Sequence, residues 1–245
     1  MADVADRFRA PSFTKGIITI VGGYGSGKSE VSVNLAKFLV QSQSQPVTIA
    51  DLDIVNPYFR SREAARELDA LGIRSLIPPG AQSYADLPII IPEIRGSIER
   101  NEGVLILDVG GDDTGAKVLS SLSDAFAPGS YDLLLVLNAS RPFTADLEGS
   151  CKMIKSIETA SRLKFTGIIS NTHLMDDTTL EIVLDGLKLS EEVSAATKLP
   201  VYFLSSTSDI LDKLTPRDIS CPVLTLERSL LKPWERKKVS GTDKK

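Results

Sequence analysis

Four glycines, Gly22, Gly23, Gly25 and Gly27, stand within six residues, and Lys28 and Ser29 follow at once in the stretch GGYGSGKS. Gly22, Gly27, Lys28 and Ser29 meet the spacing G-x-x-x-x-G-K-[ST]. Glycine weakens helices and strands alike, so its concentration between two such elements needs a reason. A chain of phosphates supplies one. Main-chain N–H groups wrap a polyphosphate closely only where the chain turns through positive φ with no Cβ atoms in the way. Gly22, Gly23, Gly25, Ser26 and Gly27 are therefore the expected phosphate cradle. Lys28 is the expected cation for the β- and γ-phosphates, and Ser29 the hydroxyl ligand of Mg²⁺.

Two further segments bring carboxylates. In TIADLDIVNPYF, Asp51 and Asp53 are two residues apart, so on an extended chain both side chains leave on one face. That suits a shared task at Mg²⁺ or at an attacking water. In GVLILDVGGDD, Asp108 ends an apolar run, and Gly110 and Gly111 follow. A carboxylate there orients a metal, and the glycines let a backbone N–H approach the γ-phosphate. Asp112 and Asp113 read as the cap of the next helix.

These residues need a frame that delivers them to one place. Short β-branched runs alternate with longer amphipathic stretches along the chain. Strands are predicted at 16–21, 46–50, 103–107, 131–137, 165–170 and 201–204, several of them continuously apolar, as strands buried on both faces are. Helices are predicted at 28–41, with Val31, Leu35, Phe38 and Leu39 on one stripe, at 144–163, with Leu147, Cys151 and Ile154, and at 178–197. The stretch 87–99 reads as a proline-started helix. Alternation of this kind means βαβ units and an α/β fold, a doubly wound, mostly parallel sheet with helices on both faces. The expected organisation is an N-terminal arm (1–15), a single nucleotide-binding domain (16–232) and a charged C-terminal tail (233–245). LLKPWERKK, with Trp234, reads as a docking segment.

The 245 residues carry 28 Lys and Arg against 32 Asp and Glu, a net charge of −4, which argues against a general nucleic-acid binder. The longest apolar runs, such as LLLVL at 133–137, fall far short of the roughly 20 residues of a membrane span. The first residues have the charges, and lack the apolar segment, that argue against a secretory leader. Cys151 and Cys221 form neither a disulfide framework nor a metal pair. A soluble cytoplasmic protein is expected.

Taken together, GGYGSGKS, ADLDIVNPYF and LILDVGGDD resemble the SIMIBI class of P-loop NTPases, in its ParA/MinD/CobQ-type group, over residues 16 to 206. The D-x-D segment after the second strand is what points to this group. The resemblance implies Asp53 as the switch I aspartate that positions the attacking water, Asp51 near the metal and Asp108 as the Walker B aspartate. It implies Gly111 as the switch II glycine that senses the γ-phosphate, Asn171 beside adenine, and ATP with Mg²⁺ as the bound species. It further implies dimerisation around two ATP molecules and a protein partner switched by slow hydrolysis. One departure stands out. The signature lysine of many members falls at Gly23, which puts the ATP-sandwich dimer in doubt and makes Arg60 and Arg62 candidates for the missing cation.

GTPases of related folds read guanine with N-K-x-D. Here SNTHLMD has Thr172 for the lysine and Leu174 for the aspartate, which favours ATP. His173, the one histidine, has no other ligand near it in sequence and reads as incidental. Three functions stay open: a regulatory ATPase of the ParA/MinD kind, an ATP-dependent small-molecule ligase or kinase of the dethiobiotin synthetase type, and a nucleotide-gated binding module without appreciable hydrolysis.

Overall fold

Every residue of the run Ile17–Gly22 is buried, which requires strands on both sides and helices above and below. The computed structural model describes residues 7–53, 65–76, 83–111 and 113–229. In chain order the elements are β1 (Ile17–Gly22), α1 (Lys28–Ser42), β2 (Val47–Leu52), α2 (Ala65–Ala70), β3 (Arg74–Leu76), α3 (Ser83–Arg100), β4 (Val104–Gly110), α4 (Asp113–Leu122), β5 (Tyr131–Leu137), α5 (Leu147–Ser161), β6 (Gly167–Ser170), α6 (Leu180–Thr197), β7 (Val201–Thr207), α7 (Ser208–Leu211) and β8 (Val223–Leu226). The strands form one eight-stranded sheet in the order β3-β2-β4-β1-β5-β6-β7-β8. Every pairing is parallel.

The sheet is buried on both faces, as the apolar runs require. One face packs Ile94 and Ile98 of α3, Leu119 and Leu122 of α4 and Ile154 and Ile157 of α5. The other packs Val31, Leu35 and Leu39 of α1 and Leu68 of α2. Each fully buried Ile, Leu or Phe here contributes about 1.5–3 kcal/mol relative to exposure.

Several expected elements differ in detail. β3 and β8, of three and four residues, lie at the two sheet edges and are too short to show a periodicity. α3 starts at Ser83, so Pro88 and Pro92 stand inside the helix rather than at its first position, each removing one backbone donor. In the stretch expected as one helix over 144–163, α5 begins at Leu147 after a separate turn of 3₁₀ helix, Pro142–Thr144. Leu147 is exposed and Cys151 only half-buried, and Ile154 and Ile157 carry the packing. α1 is buried nearly all round rather than on one stripe, and Phe38 is the half-buried member.

Residues 7–15 of the expected N-terminal arm pack on the domain. Phe13 stacks on Tyr202 at 5.5 Å between centroids, and Lys15 pairs with the fully buried Asp132 at 2.8 Å. Among the described residues no helix is long and apolar enough to cross a membrane. Arg60, Arg62, Asp112 and the segment around Trp234 lie outside the described residues.

Candidate functional site

An all-parallel sheet has all its strand ends of one kind at one edge, the edge where α/β folds bind ligands. At the carboxyl edge here, β2 ends beside Asp53, β4 beside Gly111, β1 in the glycine loop, β5 at Asn138, β6 at Asn171, and β7 runs to Thr207. A cavity of about 550 Å³ opens there, lined by Gly25, Gly27, Lys28 and Ser29 together with Asn171, His173, Ser205 and Ile210.

The loop reaches α1 through Gly27, which holds φ 85° as the helix N-cap. A Cβ at Gly27 would come within 2.4 Å of Asn171 Nδ2, so both backbone angle and space demand glycine there. No side chain caps α1. α5 and α6, by contrast, are capped by Asp146 and Thr179. The first-turn N–H groups of α1 therefore face the cavity without a side-chain acceptor, with the positive end of the helix dipole behind them. Gly111 backs onto the same loop: a Cβ there would lie 2.4 Å from both the carbonyl carbon and oxygen of Gly22.

The charged centre is buried. Lys28 Nζ sits 2.7 Å from Asp53 Oδ2, with the two side chains 7% and 2% exposed. Asp51 and Asp108 are partners in register on adjacent strands, so their side chains leave on the same face. Asp51 Oδ1 accepts from the Asp53 N–H at 3.1 Å. Burial alone would lower the Lys28 pKa, but Asp53, Asp108 and Asp51 together raise it above its ordinary 10.5. Asp108 is pushed the other way for a carboxylate: burial raises it from 3.8 to about 6, against the pull of Lys28 and the Ser29 hydroxyl. Neither Asp108 oxygen makes a hydrogen bond of acceptable geometry. The Ser29 and Ser32 hydroxyls lie close enough to lower its pKa somewhat.

A buried carboxylate with two unused oxygens beside a loop hydroxyl suits a divalent cation. Ser29 and Asp108 fit Mg²⁺ on that ground. Among the described residues no group of three or more His, Cys, Asp or Glu side chains gathers as an all-protein metal site.

Asn171, expected at the base, is 2% exposed and spans two elements. Its Nδ2 donates to Ser26 O at 2.7 Å and its Oδ1 accepts from Ser205 Oγ at 2.9 Å. It braces the loop while lining the cavity. His173, read from sequence as incidental, lines the cavity too. Its pKa falls to about 4, first through burial and then through the charge of Arg141. Gly23 lies against Met153 of α5, 3.2 Å from where its Cβ would be.

Three residues of the site carried no sequence signal. Asn138 is fully buried, and its Nδ2 reaches Gly25 O at 3.4 Å and His173 O at 3.3 Å. Arg141 Nε donates to Gly25 O at 2.8 Å. Ser205 holds Asn171. Asn138 follows the apolar run of β5 directly, and a polar residue at that point is the only hint the sequence offers.

No protein-family model matches the sequence, and no curated protein matches it. Solved structures do. The cell division protein FtsY of Thermotoga maritima aligns at TM-score 0.55 and 20% identity, over 85% of this chain and 67% of that one. FtsY of Elizabethkingia anophelis, a signal recognition particle receptor solved with GDP, aligns at TM-score 0.54 and 16% identity, over 82% of this chain and 60% of that one. Signal recognition particle 54 kDa protein of Aeropyrum pernix, also solved with GDP, aligns at TM-score 0.53 and 19% identity, over 79% of this chain and 42% of that one. The chain thus spans between two fifths and two thirds of the length of these three. The likeness shows the fold alone, an α/β fold built on a parallel sheet with helices on both faces.

Proposed function

We propose that the chain is a Mg²⁺-dependent ATP-binding protein that hydrolyses ATP slowly and acts as a nucleotide-dependent switch for a protein partner, in the manner of ParA and MinD. The observation that carries the nucleotide reading is the buried Lys28–Asp53 pair at the uncapped start of α1, with Asp108 unpartnered beside it. The choice of ATP rests on Thr172 and Leu174, which stand where guanine-reading chains place lysine and aspartate. Against it stand the two similar structures that contain GDP.

In the reaction proposed, water attacks the γ-phosphorus, the bond to the bridging oxygen breaks, and ADP and phosphate leave. The α1 N–H groups and Lys28 hold the phosphate oxygens. For this, Lys28 turns part of its donor capacity from Asp53 to the phosphates, which leaves the Asp53 carboxylate to orient the water in line. Ser29 and Asp108 would hold Mg²⁺, which when bound would neutralise charge on the phosphate oxygens. Gly111, packed on Gly22, is the residue proposed to sense the γ-phosphate through its N–H. Positioning and charge stabilisation dominate such transfers.

Calorimetry with ATP and GTP, each with and without Mg²⁺, tests this directly, with phosphate release measured beside it. Tighter binding of ATP than GTP, dependent on Mg²⁺ and abolished in Lys28→Ala, is expected. Uptake of neither nucleotide overturns the reading, and a preference for GTP overturns the choice of base. Transfer of phosphate to a metabolite, rather than to water, points instead to the ligase or kinase class.

A further inference from the structure

Among the described residues three cations line the cavity: Lys28, Arg141 and Arg228. Two of them are paired with carboxylates, Lys28 with Asp53 at 2.7 Å and Arg228 with Asp176 at 3.2 Å. Arg141 has no ion pair among the described residues. Its placement is nevertheless determined. The Arg141 N–H donates to Asn138 O at 3.1 Å, and Arg141 O accepts from the Thr144 N–H at 3.0 Å. The Nε edge of the guanidinium donates to Gly25 O, and the group lies so close on Gly25 that a Cβ there would meet Nε at 2.8 Å and Cζ at 3.2 Å. Beneath it the buried Asn138 ties the same carbonyl to the strand ends of β5 and β6. One edge of the guanidinium is thus used to grip the loop. Its Nη1 and Nη2 donors make no hydrogen bond among the described residues.

A half-buried guanidinium with a fixed stem and unused donors, at the lip of a phosphate-binding loop, has one evident class of partner. Charge balance argues the same way. Around Lys28 stand three buried carboxylates, Asp51, Asp53 and Asp108, an acidic surplus that repels a polyphosphate until a cation offsets it. Guanidinium donors match the spacing of phosphate oxygens.

We propose that Arg141 is the second cation of the phosphate site, supplied by the β5–α5 connection of the same chain, and that it contacts the polyphosphate of the bound nucleotide while clamping Gly25. This deepens the nucleotide reading and rests on it. Arg141 stands in for the positive charge absent at Gly23, without a second subunit.

The test is calorimetric titration of the wild type, Arg141→Gln and Arg141→Lys with ATP, ADP and AMP in Mg²⁺ at two salt concentrations. A phosphate contact predicts that Arg141→Gln weakens ATP binding about 10- to 100-fold, weakens ADP less and AMP least, with a shallower salt dependence. Arg141→Lys is expected to fall between, keeping charge but losing the paired donors. A loss of the same factor for all three nucleotides means that Arg141 only clamps the loop, and overturns the proposal, as does no loss at all. Should Arg141→Gln fail to fold, the ATP-to-AMP ratio of Arg141→Lys against wild type decides on the same terms. If the wild type itself takes up no nucleotide, the reading of the whole site fails and this assignment with it. Uniform loss in a protein whose wild type binds ATP removes the assignment alone.

Discussion

Asp108→Asn separates what the site does for the fold from what it does for a ligand. Asp108 is fully buried with neither oxygen hydrogen-bonded, and burial lifts its pKa from 3.8 to about 6. At about 1.4 kcal/mol per tenfold, that rise means the ionised form costs the nucleotide-free fold roughly 3 kcal/mol. The folded pKa lies above the unfolded one. The favourable contribution of the protonated group is therefore complete below about 3.8 and lost as pH rises through about 6. Asparagine is nearly isosteric and does not titrate. Without nucleotide, Asp108→Asn is therefore expected to gain on the wild type as pH rises from 5 to 8, the difference changing by roughly 1.4 kcal/mol, since part of the loss is already complete at pH 5. At about 2–4 °C per kcal/mol for a chain of this size, that is a relative shift in melting temperature of roughly 3–6 °C. Parallel thermal melts of both proteins over that range read it out, and titrations common to both cancel in the difference. With Mg²⁺ and ATP the order reverses: the wild type gains stability from the ligand and the variant gains little. Melting curves that run parallel from pH 5 to 8 would refute the argument that Asp108 is an uncompensated buried charge.

Other perturbations read different parts of the site. Asp53→Asn keeps the side-chain volume but removes the partner of Lys28 and the proposed orienter of water, so ATP binding should survive while phosphate release in single-turnover assays falls roughly 10²-fold or more. Gly111→Ala puts a methyl group 2.4 Å from the Gly22 carbonyl. Because that neighbour is backbone, the phosphate loop must move, and calorimetry should show weakened ATP affinity in a chain whose circular dichroism is unchanged. His173, with its pKa lowered to about 4 mainly by burial, stays neutral through the ordinary range. Its folded pKa is below the unfolded 6.5, so it stabilises above that value and its contribution is lost as pH falls towards 4. His173→Gln should flatten the acid limb of the melting curve over that window.

How legible each part was depended on whether its chemistry is written in consecutive residues. The phosphate loop needs its glycines, Lys28 and Ser29 side by side in the chain, so eight residues of sequence carry it. Asp51, Asp53 and Asp108 were readable as candidates because each ends an apolar run, and a strand end in a parallel sheet is an address. The pairing of Lys28 with Asp53 was not readable, because it depends on how β1 and β2 flank β4. Asn138, Arg141 and Ser205 act only through the convergence of β5, β6 and β7, and nothing local distinguishes Arg141 from any surface arginine after a strand. His173 was misjudged for the same reason: its neighbours in space, Gly27 and Arg141, are remote in sequence. Six strands followed from their apolar runs, β6 among them although it has only four residues, whereas β3, of three residues, is too short for a pattern to show and β8, also of four, was missed at the opposite edge. α3 went astray because proline usually marks a helix start, and here Pro88 and Pro92 lie within one.

The charge arrangement gives the site a direction. A buried ion pair is weak evidence of stability, because the cost of removing both charges from water rivals their attraction. The Lys28–Asp53 pair is better understood by what it keeps ready. Burial works against the Lys28 ammonium, and three carboxylates outweigh it, so the lysine is charged and in place before any phosphate arrives. Those carboxylates then become the obstacle, since a polyphosphate entering the loop meets their field as well as the lysine. Removing that obstacle takes positive charge from two sides. In the reading proposed above, Mg²⁺ would offset Asp108 and Asp51 at the β2–β4 side, and Arg141 would act at the β5 side of the loop. On that proposal, Lys28 turns from Asp53 to the phosphates once both cations are in place, and the Asp53 carboxylate would then be released to act on water. In this arrangement the exchange of partners at Lys28 links occupancy of the loop to catalytic competence, and it requires no movement of the sheet.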